Sequence, residues 1–214
     1  MSQPAPARGL FVSVEGIDGS GKSTQVRALA DRLRAQGRSV ILTREPGGAE
    51  GAEAIRALLV EGAPDRWSPV TELLLFNAAR RDHLERTITP ALDRGDVVIC
   101  DRFADSTRVY QGLADPRLRR LADTLHAQVI GREPDITVII DMDPADAAAR
   151  CRARGASADR FEARGADFQT ALRNGFLALA NEYPDRCTVI DGNHPATEVT
   201  DALLARIAPR LACG

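Results

Sequence analysis

Short runs of consecutive apolar residues alternate along the chain with longer stretches in which apolar positions return every three or four residues. The short runs predict β-strands at Leu10–Val14, Ser39–Thr43, Val97–Cys100, Ile136–Ile140 and Thr188–Ile190. They are nearly all apolar rather than alternating, as strands covered on both faces of a parallel sheet must be. The longer stretches predict helices at Ser23–Gln36, Ala49–Val60, Pro69–Arg94, Asp115–Ile130, Pro144–Arg154, Phe168–Tyr183 and Thr197–Leu211. Their ends are punctuated: Asp143–Pro144 and Ser68–Pro69 pair a cap with a proline at the first helical position, and Gly37 and Gly95 stand where helices must stop. Strand and helix in alternation give the α/β class.

Composition adjusts this picture little. With 214 residues, 44% apolar and 27% charged, the expectation is one compact domain from residue 9 to 214, preceded by a frayed tail at residues 1–8. That tail lacks the apolar core of about 7 to 15 residues of a secretory signal, and no apolar run approaches the roughly 20 residues that span a bilayer. A cytoplasmic protein, not a membrane protein, is expected. The net charge of −2 offers no general field for nucleic acid, so any phosphates would be bound locally by clustered arginines. Cys100, Cys151, Cys187 and Cys213 form no C-x-x-C pair, and His83, His126 and His194 stand apart from them and from one another, which argues against zinc and against a disulfide framework.

The chemistry enters at Gly16-Ile17-Asp18-Gly19-Ser20-Gly21-Lys22-Ser23, which fits G-x-x-x-x-G-K-[ST] between a predicted strand and a predicted helix. Such glycines let successive N–H groups turn inward as a phosphate nest at the positive end of the helix. Lys22 would bridge the β- and γ-phosphates of ATP and the Ser23 hydroxyl would ligate magnesium. Lys22 is the sole lysine of a sequence rich in arginine. A slim ammonium enters a nest that a planar guanidinium would overfill. With no other lysine there is no N-K-x-D guanine motif, so a GTPase switch is not expected. Asp101 ends the run VVICD, either as a second magnesium-shell carboxylate or as a helix cap. Polar residues also gather after two strands, in TREPGG and in DRFADSTRVYQG. Ligands of open α/β sheets sit at such carboxyl ends.

Taken together and in order, GIDGSGKST, TREPGG, LLFNAARRDHL, DRFADSTRVYQG and RCRARGASADRFE resemble thymidylate kinase of the bacterial type over nearly the whole chain. The resemblance implies the P-loop nucleoside monophosphate kinase fold, a five-stranded parallel sheet flanked by helices. It also implies transfer of the γ-phosphoryl group of ATP to dTMP, with Mg2+, and a homodimer. ATP would be held by Gly16 through Ser23, by Thr24, and by Arg150 and Arg160 of a basic lid at about residues 150–165. Lys22, Arg102 and Arg154 would be catalytic, Arg102 by gripping the dTMP phosphate and Arg154 as an internal arginine finger. Eukaryotic-type members carry that arginine in the P-loop, where this chain has Gly19. Ser23 and Asp101 would hold the metal.

On the acceptor side the resemblance implies that Phe76 stacks on thymine and that Arg80, one helical turn on, reaches a base carbonyl. Tyr110 would crowd the sugar 2′ position, Asp18 would meet the 3′-hydroxyl, Thr107 and Gln111 would lie near the base, and Glu45 and Ser106 would complete the dTMP site. Read without the family, Phe76 is a core residue, Arg80 and the lid arginines are solvated, and Tyr110 and Gln111 cap the sheet end. Position 18 carries aspartate where the bacterial pattern has glutamate, a shorter reach to the sugar. No side chain is assigned to adenine. Two rival readings remain: a kinase of dUMP, UMP or AMP, and a non-catalytic ATP-binding switch.

Overall fold

The computed structural model describes residues 9–63, 65–153 and 165–212. Five strands, β1 (Leu10–Glu15), β2 (Val40–Arg44), β3 (Val97–Asp101), β4 (Ile136–Asp141) and β5 (Cys187–Asp191), form one parallel sheet in the order β2-β3-β1-β4-β5. Helices α1 (Lys22–Ala35), α2 (Glu50–Val60), α3 (Pro69–His83), α4 (Thr89–Asp93), α5 (Ala104–Ala114), α6 (Pro116–Leu125), α7 (Pro144–Ala153), α8 (Ala166–Glu182) and α9 (Ala196–Ala212) connect and cover them. All five strands stand where the apolar runs predict them, with ends shifted by a residue or so.

β1 is central, with Val12 paired to Ile99 on one side and Ile136 on the other. Alternation then decides what each face meets. Val12 and Val14 pack with Val26, Leu29 and Leu33 of α1 and Leu203 and Ile207 of α9. Phe11 turns the other way, to Ile88, Leu92, Phe103 and Ile130. Each such side chain, fully buried, contributes about 1.5–3 kcal/mol. Nearer the strand ends Ile17, Val109, Ile139, Met142, Leu172 and Phe176 form a further cluster that seats α5 and α8.

That second face is also partly polar. Ser13 and Thr137, both fully buried, share a hydrogen bond of 3.0 Å between their hydroxyls. Thr137 Oγ1 donates to Asp105 Oδ2 (3.0 Å), and Asp105 also accepts from Arg186 Nη1 (2.6 Å) and Arg108 Nη1 (2.8 Å). Burial alone would raise the Asp105 pKa, but the Arg186 and Arg108 guanidiniums outweigh it and hold it low. A buried charge cluster is tolerable only when satisfied in this way, and it pins α5 against β4.

Two expectations about helices need correction. The single helix over Pro69–Arg94 is three pieces: α3, a π-helical turn at Leu84–Ile88, and α4. Pro90 is the cause, since it has no N–H and its ring crowds the carbonyl one turn back, so the coil widens ahead of it. The predicted helix Asp115–Ile130 likewise closes in a π-helical turn, at His126–Ile130, and Asp115 is its cap: its side chain accepts from Arg117 N. α5 was not predicted as a helix at all. Its buried positions include Asp105, Thr107, Arg108 and Gln111, so no apolar stripe marks it.

Candidate active site

The carboxyl ends of β1, β2 and β3 open onto a cavity of about 250 Å³ whose lining runs from Asp18, Gly19 and Gly21–Thr24 across Arg44–Pro46 and Asp101–Phe103 to Phe76, Arg80 and the inner face of α5. The P-loop forms its floor. Gly19 and Gly21 have φ of 86° and 96°, the left-handed region that glycine takes freely. α1 begins at Gly21 with no side-chain cap, which leaves its positive end to an anion. Lys22 is buried and its Nζ donates to Ile17 O at 2.7 Å. Burial, then the charge of Arg102, pull its pKa down to about 8, against Asp18 and Asp101. Ser23 Oγ donates to Asp101 Oδ2 at 2.6 Å, a pair of hard oxygens beside the loop. Gly16, Ile17 and Ser20 are buried behind it, outside the cavity wall.

Arg102 is a hub of hydrogen bonds at the end of β3. It has φ of 71°, the one such value among non-glycine described residues, and this turn swings its guanidinium back over β1. Nη1 donates to Gly16 O and Ser106 Oγ, each at 3.0 Å; Nη2 donates to Asp18 Oδ1 and, at 3.2 Å, to Tyr110 OH. Tyr110 OH donates to Asp18 Oδ2 at 3.0 Å. Burial alone would raise the Asp18 pKa, but Arg102 and Lys22 outweigh it and hold it at about 2. Burial disfavours the charge on Arg102, yet Tyr110 and the carboxylates of Asp18, Asp101 and Glu15 raise its pKa overall. A fixed cation therefore stands at the end of β3 on one side of the P-loop lysine.

Phe76 and Arg80 share a face of α3 on the far wall. Arg80 donates from Nε to Glu45 Oε2 (2.7 Å) and from Nη2 to Thr107 Oγ1 (2.9 Å), and its guanidinium lies 5.2 Å from the Phe103 ring centre. Gln111 Nε2 donates to Glu72 Oε1 at 3.0 Å, tying α5 to α3. The residues named for the acceptor, Asp18, Glu45, Phe76, Arg80, Arg102, Ser106, Thr107, Tyr110 and Gln111, thus all border one cavity. Of the arginines expected in a lid, Arg150 reaches Gly192 O from Nη1 at 3.4 Å. Arg154 and Arg160 lie outside the described residues, as does most of the segment expected as a lid.

Motif reading missed several parts of the site. Arg44 and Arg56 line the cavity, Arg56 Nη1 donating to Pro46 O at 2.8 Å. Glu15, fully buried, accepts from Phe103 N (2.7 Å) and Ser106 Oγ (2.6 Å) beneath Arg102. Burial and Asp105 push its pKa up to about 7 against the pull of Arg102, Ser106 and Phe103. Arg56 looks like any helix arginine, and Glu15 like the end of a strand. Only the fold brings either to the site.

A family model described as thymidylate kinase matches residues 14–203. The chain belongs to the thymidylate kinase family. It is 63% identical over 207 residues to the thymidylate kinase of Dinoroseobacter shibae, covering 97% of this chain and 98% of that one. With the thymidylate kinase of Ruegeria pomeroyi the identity is 60% over 203 residues, 93% of this chain and 96% of the other. Among solved structures, a thymidylate kinase from Ehrlichia chaffeensis superposes with a TM-score of 0.75 at 37% identity, covering 94% of this chain and 99% of that chain. The fold is therefore the P-loop nucleoside monophosphate kinase fold, as the resemblance of its motifs implies. No helix among the described residues is long and apolar enough to cross a membrane.

Proposed function

We propose that this chain is a dTMP kinase that transfers the γ-phosphoryl group of ATP to dTMP, giving dTDP and ADP in the route to dTTP. The observation that carries the reading is one cavity with an ATP-type P-loop on its floor and, beside it, the Arg102 guanidinium, a cation tied to that loop through Gly16 O and the Asp18 carboxylate. Phosphoryl transfer asks mostly for in-line placement and charge neutralisation, without a covalent intermediate. In this reading Gly16 through Thr24 and Arg150 hold ATP, with Arg160 from the lid. Lys22 meets its β- and γ-phosphates, and Arg102 grips the phosphate of dTMP. Phe76 and Arg80 bind thymine, Thr107 and Gln111 support them, and Tyr110 and Asp18 face the sugar. Arg154 supplies the transition-state charge that Gly19 cannot.

Ser23 Oγ and Asp101 Oδ2, hard oxygens 2.6 Å apart, suit Mg2+, which is held by one or two protein oxygens and completed by phosphates. When bound, the ion screens the charge between β- and γ-phosphates. We read residues 9–214 as one kinase domain with a basic lid at about 150–165, working on cytoplasmic nucleotides. Leu58 of α2 and Val70 and Leu74 of α3 leave apolar side chains 37%, 46% and 49% exposed, and we take this face as the homodimer contact. The test is transfer itself: with γ-labelled ATP and dTMP, label is expected in dTDP. Label released only as inorganic phosphate, or ATP bound with no dTMP-dependent turnover, would overturn the reading in favour of an ATPase or a switch.

A further inference from the structure

His83 closes α3 with no exposed surface and is not itself part of the cavity wall. Its two ring nitrogens nevertheless sit in a buried polar chain that ends there. Nδ1 is 3.1 Å from Glu45 Oε1, and Nε2 is 2.7 Å from Thr43 Oγ1. The Glu45 carboxylate, beside a guanidinium, accepts, so in the neutral ring Nδ1 carries the hydrogen and Nε2 accepts from the Thr43 hydroxyl. The other oxygen of Glu45 accepts from Arg80 Nε at 2.7 Å, and Arg80 Nη2 donates to Thr107 Oγ1 at 2.9 Å. Two of the three guanidinium nitrogens are thereby fixed. Nη1 makes no hydrogen bond among the described residues, and Arg80 borders the cavity.

Glycine at 48 belongs to the same device. A Cβ there would lie 2.4 Å from His83 Nε2 and 2.4 Å from Thr43 Oγ1, and the residue has φ of +86°. The second glycine of TREPGG is thus the space His83 occupies.

We propose that His83 is a positioning residue for base recognition, holding Glu45 from behind so that Arg80 presents one free N–H face to the acceptor base. The inference rests on the reading that Arg80 meets the base. A buried carboxylate in an ion pair keeps its geometry only when its remaining lone pairs are also satisfied. Without the imidazole, Glu45 can turn toward Arg80 and tilt the guanidinium plane, a change felt by the base and not by ATP.

Three variants test this. His83→Leu keeps the volume and removes both hydrogen bonds. His83→Asn is smaller, but its amide nitrogen can stand where Nδ1 stands. Arg80→Met checks the underlying reading. The expected result is that His83→Leu raises KM for dTMP roughly tenfold or more, leaves KM for ATP within about twofold, and is worse than His83→Asn. If His83 merely fills space, the order reverses, with Leu benign and Asn impaired, and the proposal fails. If Arg80→Met raises KM for dTMP while His83→Leu does not, the proposal falls and the role of Arg80 stands. If Arg80→Met leaves KM for dTMP unchanged, both fall. Should His83→Leu fail to fold, His83→Asn beside His83→Ala carries the same comparison, since alanine lacks the donor.

Discussion

Lys22 is buried to 6% exposure, with Nζ on Ile17 O at 2.7 Å and Asp18 Oδ1 at 3.9 Å. A guanidinium there would be wider than the ammonium and could not turn all its donors inward between the loop and Arg102. Lys22→Arg is accordingly expected to abolish turnover, measured as ADP release, while the fold survives by thermal melting. Near-normal activity would refute the steric account of why the chain's single lysine sits here. This loop was fully legible in the sequence because its parts are consecutive. Arg102 was legible from its motif, but its turn at φ 71° was not. The roles of Glu15 and His83 do not show in the sequence, even though His83 stands within LLFNAARRDHL, since their partners lie far along the chain: Glu15 with Phe103 and Ser106, and His83 with Glu45 and Thr43.

Between elements, α7 lies close against the P-loop at Gly19. A Cβ on Gly19 would stand 2.2 Å from Ala147 O and 2.9 Å from Cys151 Sγ, at φ +86°. Backbone cannot yield as a side-chain tip can, so Gly19→Ala must push α7 away and carry Arg150 with it. Gly131 is the control: it also has positive φ, +64°, but nothing lies within 4 Å of its Cβ position. Gly19→Ala is expected to raise KM for ATP by roughly tenfold or more, as small misplacements do, whereas Gly131→Ala should cost only modest stability. Equal effects on ATP kinetics would show that α7 packing does not matter. Patterning read most elements well, including α7 through its Asp143–Pro144 start. It failed at α5, whose inner face carries Asp105, Thr107, Arg108 and Gln111. A helix that buries charge toward Arg186 and Thr137 offers few large apolar side chains for the pattern to reveal. It also read through Pro90, where the backbone widens into a π turn.

At the scale of the whole molecule, the parallel sheet was legible because its strands are short, apolar and separated by longer helical stretches. Its order, β2-β3-β1-β4-β5, was not read from the pattern, yet it is what sets the ends of β1 and β3 side by side and Lys22 near Arg102. The exposed leucines and valine of α2 and α3 are likewise a property of the folded surface. The native chain is expected to run in light scattering at twice the 23.0 kDa of one protomer, and Leu74→Asp is expected to shift it toward the single-chain mass. A native protein that is monomeric at assay concentration would remove that face as a dimer contact. The central claim, that one cavity joins ATP to dTMP in particular, is tested most directly by a coupled ADP-release assay across dTMP, dUMP, UMP and AMP. The expected result is the highest kcat/KM with dTMP; a higher value with AMP or UMP, or ATP binding with no turnover on any monophosphate, would contradict it.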